Sequence, residues 1–484
     1  NSIGPATGTA SPLVSTVGTY ASLDYFALGV AAGTLPITWN GGALTSNWGD
    51  AANWSNNTVP TSTTDVVIGN SATVNINIPA AVVGTAIISS GVTLNVAANT
   101  LTVTGASTTG LSNGGTLNIS GGAITVGVNG GGNNRSFTNT GILNVSSTGV
   151  LNVFGNFLIS AGTFNQTGGS IVVDGNDNNN VATSVATGTH TFSISGGTPN
   201  CSAGTITIVD PVVNTYTVAT GTNRSIVIGL SASPNYFSGT HTFVLGDGVS
   251  TTPGNTDGFV IETYLNGYSP IQNLTVNGGN TRGRWSAASN NNSTSYGSHI
   301  KGNLTINSGS EMRQLYTAGQ FAVGGNILNN GTLTTIGSTT SSALVVGTNS
   351  AFTVSAPQTI SGNGIYRNST TTSTGSFGYL TINNPSGVTL STPLSVSNTL
   401  TLTAGTLNTT STNLLTLGVL SPPSAGTLSY TAGQIAGPFK RIINAATGTS
   451  SFPVGTTTVY RPASVNFTSA PATAGSLTTE FITT

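Results

Sequence analysis

Leu94-Asn95-Val96, Leu101-Thr102-Val103, Leu117-Asn118-Ile119, Ile124-Thr125-Val126, Leu143-Asn144-Val145 and Leu151-Asn152-Val153 share one pattern: apolar, then Thr or Asn, then apolar. Side chains alternate across a strand, so each triplet turns its outer two residues to a core and its polar middle residue to water. The pattern runs from about Ile87 to Leu417 and returns at Leu274-Thr275-Val276, Leu304-Thr305-Ile306, Leu380-Thr381-Ile382 and Leu400-Thr401-Leu402. Gly114-Gly115, Ser120-Gly121-Gly122, Asn330-Gly331 and Ala404-Gly405 lie between triplets and supply the positive-φ corners that tight bends require. No stretch of a dozen residues carries a 3.6-residue apolar period, and the load of Thr, Val and Ile favours strands. The chain is predicted to be all-β.

Strand length separates the two all-β architectures that compete. Sandwich strands usually run five or six residues, whereas three-residue strands between sharp corners suit the rung of a solenoid. Comparable triplets recur roughly every 18 to 27 residues, the interval of one coil. The expected fold is a right-handed parallel β-helix, a β-solenoid, with an N-terminal strand and cap segment and a C-terminal β-sandwich. The expected divisions are an extended segment over 1–37, a cap over 38–68, the solenoid over 69–420 and an incomplete sandwich over 421–484. Three of the four tryptophans, Trp39, Trp48 and Trp54, cluster where the cap is expected. A pentapeptide, Gly188-Thr189-His190-Thr191-Phe192, returns as Gly239-Thr240-His241-Thr242-Phe243 and reads as two equivalent rungs.

Composition excludes several functions. Charged residues are 4% of the 484, against roughly a quarter in an ordinary domain, and the net charge is −1. No field exists to hold a nucleic acid. Low charge with 37% hydrophobic residues also departs from the signature of disorder. No run approaches the roughly 18 apolar residues of a membrane-spanning helix. One cysteine, Cys201, leaves no internal disulfide. The chain begins at Asn1, which fits a removed signal peptide and an extracellular or cell-surface location.

The stretch Ile37-Thr38-Trp39-Asn40-Gly41 through Trp48, Asn53-Trp54, Pro60 and Asp65-Val66-Val67-Ile68 resembles the opening of secreted β-helix proteins of the autotransporter-passenger and Bacteroidetes surface type. The tail, with Pro438-Phe439-Lys440-Arg441, Phe452-Pro453-Val454-Gly455 and Tyr460-Arg461-Pro462, is similar to a β-sandwich module of Bacteroidetes proteins exported by the type IX route. In that module a last strand is expected after Phe481-Ile482, and Tyr25-Phe26-Ala27-Leu28-Gly29 looks like it, at the wrong end of the chain. A long coil at roughly 4.8 Å per rung keeps the ends of one molecule apart. A neighbour's strand is therefore expected to fill the gap, Tyr25, Phe26 and Leu28 meeting Phe439, Phe452 and Tyr460 across a subunit interface.

Candidates for chemistry are few. Asp174, Asn176, Asp177 and Asn178 put oxygens on one tight loop, a candidate calcium shell that lacks the distal Glu of a calcium-hand loop. Otherwise no cofactor is expected. Carboxylates are too scattered for the paired acids of catalytic solenoids. No enzyme is expected. The reading is an extracellular filament subunit that polymerises with itself; the alternatives are an adhesin binding glycans, an ice-binding solenoid, or a piece of a longer surface polypeptide.

Overall fold

The computed structural model describes residues 35–482 apart from 106–108, 129–134, 175–190, 211–225, 231–234, 250–258, 266–269, 279–280, 288–297, 315–319, 336–342 and 369–374. Among them the helical element is a single 3-10 turn, Ala51–Asn53, and the rest is strand and bend. The triplets become strands whose apolar residues are buried and whose middle residue is half-buried, as in Thr93–Val96, Thr116–Ile119 and Val150–Val153. Val66–Ile68, Thr73–Asn75 and Ala80–Val83 make one turn of a coil; Ala86–Ile88, Thr93–Val96 and Thr100–Val103 make the next. Each strand pairs in parallel with its counterpart one turn on, Val66 with Ala86, Thr73 with Thr93 and Ala80 with Thr100. The fold is a parallel β-helix with three faces.

The first face is one sheet of thirteen strands, from Ile37–Thr38 to Ile365–Arg367. The second and third faces belong to one nineteen-stranded sheet, because Thr163–Asp174 bends across both and pairs with Ile142–Val145 at one end and Val150–Val153 at the other. Thr198–Asp210 repeats that bend on the next turn. The third face continues past Leu420: Thr406–Asn408 pairs with Gln434–Ala436, which pairs with Val454–Gly455, all in parallel. Three antiparallel pairings lie at this end, Val419–Leu420 with Pro423–Ser424, Phe439–Ile443 with Gly475–Thr479 and Gly448–Phe452 with Ala463–Phe467.

Stacking puts like on like. Leu94, Leu117 and Leu143 occupy one register and are fully buried, each side chain contributing roughly 1.5–3 kcal/mol by leaving water. Phe137, Phe157 and Phe192 form a second column, their rings stacked with centroids 5.3 and 5.0 Å apart. Outside, the middle residues of the second face make an amide ladder. Asn95 Nδ2 donates to Asn75 Oδ1 at 2.9 Å, Asn118 to Asn95 at 2.8 Å, Asn144 to Asn118 at 2.7 Å and Asn165 to Asn144 at 2.7 Å. At the corner after Ile159, Gly162 has φ +74° and a Cβ there would overlap the carbonyl oxygen of Gly141, so glycine is required.

Trp39, Trp48 and Trp54 are buried beneath the first turns. Trp54 meets Trp39 edge-on at 5.1 Å and Trp48 at 4.7 Å, and its Nε1 donates to the Trp48 carbonyl at 2.9 Å. The repeated pentapeptide does not mark equivalent rungs. Phe192 lies on the first face, in register with Phe157 and Ile226, whereas Phe243 lies on the third, in register with Ile206 and Leu274. Their rings meet edge-on inside the coil at 5.8 Å.

Candidate functional site

Strand edges are bare at both ends of the coil, at Ala80–Val83 near the start and at the C-terminal end, where a cleft lies beside one of them. Thr427–Tyr430 pairs in parallel with 399–402 along one edge, and among the described residues no strand takes its other edge. In the levels below, the next turn of the chain covers that position. Here the chain after Ala436 continues as Phe439–Ile443, in register with Leu415–Leu417 in a separate nine-stranded sheet. It then leaves the coil as the ribbon of Gly448–Phe452 and Ala463–Phe467, which pairs only within itself. A cleft of about 590 Å³ remains beside the bare edge, lined among others by Leu428, Tyr430, Arg441, Phe452, Tyr460 and Pro462.

The lining is mostly polar and holds one buried charge among aromatic rings. Phe439 and Phe452 are fully buried, edge to face at 5.9 Å, and support the inner wall. Tyr430 and Tyr460 stack at 5.3 Å with planes 7° apart, and each remains about two-fifths exposed, at 41% and 38%. Arg441 is 8% exposed, lies 5.9 Å from the Phe452 ring centroid, and donates from Nη1 to the Ser451 carbonyl at 2.8 Å. Its Nε is buried with no hydrogen-bond partner. Burial pushes its pKa below the usual guanidinium value, so the charge is held at a cost.

Of the residues expected at a subunit interface, Phe452 and Tyr460 line this cleft and Phe439 packs behind Phe452; Tyr25, Phe26 and Leu28 lie outside the described residues. Of the expected calcium loop, Asp174 ends its strand in register with Asp210 one turn on, and Asn176, Asp177 and Asn178 lie outside the described residues. Among the described residues no three His, Cys, Asp or Glu side chains gather where they would hold a metal ion.

The remaining reactive types are built into the core. Cys201 is buried, and desolvation pushes its thiol far above the ordinary range. His241 sits between Phe237 and Phe243 with Nε2 3.1 Å from Gln166 Oε1, and burial pushes its pKa down to about 3. His299 is pushed down to about 4 by the same cause. Glu311 and Arg313 form a buried two-point ion pair at 3.0 and 3.1 Å, and the Thr334 hydroxyl donates to Glu311 at 2.7 Å.

Two cleft residues escape a reading of the sequence for chemistry, Arg441 and Tyr430. The signal for Arg441 is alternation: in Phe439-Lys440-Arg441 it shares the inward side with Phe439. Comparison of the chain with protein-family models, curated proteins and solved structures finds no match.

Proposed function

We propose that the protein is an extracellular structural subunit that assembles head to tail into a fibre, one copy's N-terminal strand completing the C-terminal end of the next. The observation that carries this reading is the bare edge of Thr427–Tyr430 beside a formed cleft. A strand edge offers a row of unpaired N–H and C=O groups, and pairing with another chain satisfies them. Backbone bonds alone contribute only about 0.5–1.5 kcal/mol each. An incoming strand therefore needs apolar side chains, and Leu428 and Phe452 line the cleft that would take them.

The opposite end supports a polar arrangement of subunits. There the tryptophan cluster covers the core beneath the first turns, so the two ends are not alike. An interface between unlike surfaces is heterologous and propagates into a filament unless its rotation closes a ring.

Negative-stain imaging of the full chain and of a chain lacking residues 1–35 tests the proposal. The full chain is expected to form fibres and the shortened one dispersed rods. Adding an excess of a peptide spanning 19–36 is expected to stop elongation by filling the cleft. Fibres that persist unchanged without residues 1–35 would refute strand donation. The exposed, stacked Tyr430 and Tyr460 favour a second reading, a glycan platform. It predicts that single shortened rods bind on a glycan array.

A further inference from the structure

Charge is distributed unevenly along this chain, and the unevenness falls on its ends. Asp24, Asp50 and Asp65 are the charged side chains among residues 1–70, with no Lys or Arg; residues 421–484 carry Lys440, Arg441 and Arg461 against a single acid, Glu480. Asp65 is exposed beside the first turn and Arg461 is exposed beside the last. Opposite charges at opposite ends steer copies into head-to-tail encounters, and set side-by-side copies in the same sense like against like.

Within this pattern one pair has a defined geometry to satisfy. Arg441 lines the cleft, is 8% exposed, and keeps a buried Nε donor without a partner. A buried guanidinium whose donor is unmet is costly, and a carboxylate or carbonyl oxygen relieves that cost. Asp24 is the one charged side chain in residues 1–49. In an extended strand Asp24, Phe26 and Leu28, at positions i, i+2 and i+4, share one face, spaced about 6.6–6.8 Å apart. That face offers a carboxylate and two apolar side chains, and the cleft offers a guanidinium with Leu428 and Phe452.

Resting on the strand-donation reading, we infer that Asp24 of one copy binds Arg441 of the next, with Phe26 and Leu28 seated against Leu428 and Phe452. The carboxylate sets the register of the strand. A slip by one residue would turn all three side chains to the other face.

A charge exchange tests the pairing. Asp24→Arg and Arg441→Glu are prepared separately in the full chain, each is checked for an unchanged thermal transition, and the critical concentration for fibre formation is measured by sedimentation. Each variant alone is expected to need at least about thirty-fold more protein than the parent, the factor corresponding to about 2 kcal/mol for an unpaired buried charge. An equimolar mixture is expected to assemble again near the parental concentration. In it the arginine introduced at position 24 meets the glutamate introduced at position 441, and the native pair of Asp24 and Arg441 forms at the next junction, in alternation. Variants that assemble alone as the parent does, or folded variants whose mixture stays soluble, overturn the pairing and leave strand donation standing. A parent chain that forms no fibre overturns both.

Discussion

Replacing Asn118 by Ala removes two hydrogen bonds of the amide ladder, one given to Asn95 at 2.8 Å and one received from Asn144 at 2.7 Å. Replacing Asn165 removes only the one it gives to Asn144 at 2.7 Å. Each such bond contributes about 0.5–1.5 kcal/mol net, and these side chains are half-buried, which favours the lower half of that range. Asn118→Ala is expected to cost about 1–2 kcal/mol and Asn165→Ala about half as much, with Asn144→Ala matching Asn118→Ala. Asn118→Asp keeps the acceptor for Asn144 but sets oxygen against the Asn95 oxygen and adds a charge, so it is expected to cost more than the alanine. Trp39, Trp48 and Trp54, three of the four tryptophans, lie buried beneath the same part of the coil, so urea unfolding followed by tryptophan fluorescence in a Trp285→Phe background reads this end. Equal costs for Asn118 and Asn165, or no cost for either, would refute the ladder as a stabilising element. A drop in the midpoint without a change in slope is the expected form.

Three further outcomes follow from the core. His241 and His299 have folded pKa values of about 3 and about 4 against 6.5 in the unfolded chain, both lowered by burial. The unfolded chain therefore binds more protons below 6.5: stability is complete above that pH and falls as pH drops towards 4, by on the order of 3 kcal/mol per histidine. A denaturation midpoint that stays flat from pH 7 to pH 4 would contradict this, and His241→Gln should shallow the slope. Phe157→Ala opens the stacked column between Phe137 and Phe192 and is expected to cost about 3–5 kcal/mol. In a stacked array the loss stays local, so hydrogen exchange should quicken around residues 137–192 before the distant turns are affected. Cys201 should resist thiol reagents in the folded protein and react at the rate of unfolding, and fast labelling without denaturant would show the site to be open.

Which face a residue points to was legible in the triplets, because period two is a local property of a strand. How many strands make a turn was not. One turn spans 20 residues between Val66 and Ala86 but 35 between Phe157 and Phe192, since a corner lengthens without disturbing the ladder. For that reason the two copies of the Thr-His-Thr-Phe motif fall on different faces, although their spacing suggests stacked rungs. The amide ladder was half legible: Asn95, Asn118 and Asn144 read as outward, but only register shows that each amide reaches the next. The cleft was least legible. Thr427-Leu428-Ser429-Tyr430 reads like any other rung, and what sets it apart is the cleft beside its bare edge, which residues distant in sequence build.

The same geometry bears on why such a coil would grow lengthwise. Inside the ladder each amide of Asn95, Asn118 and Asn144 commits its oxygen and one N–H to its neighbours along the axis. A flank whose polar groups are already paired gains little by meeting another flank, since water and neighbour offer nearly equivalent partners. Neutral flanks also lack the charge that would select a lateral register. The end differs on both counts: Thr427–Tyr430 has backbone groups with no strand beside them among the described residues, and Arg441 has a donor with no acceptor. Unsatisfied groups, not apolar area alone, make an interface selective, because a wrong partner leaves them buried and unpaired. On this argument the composition has two tasks, a flank made inert by its own ladders and an end that stays incomplete until another strand arrives.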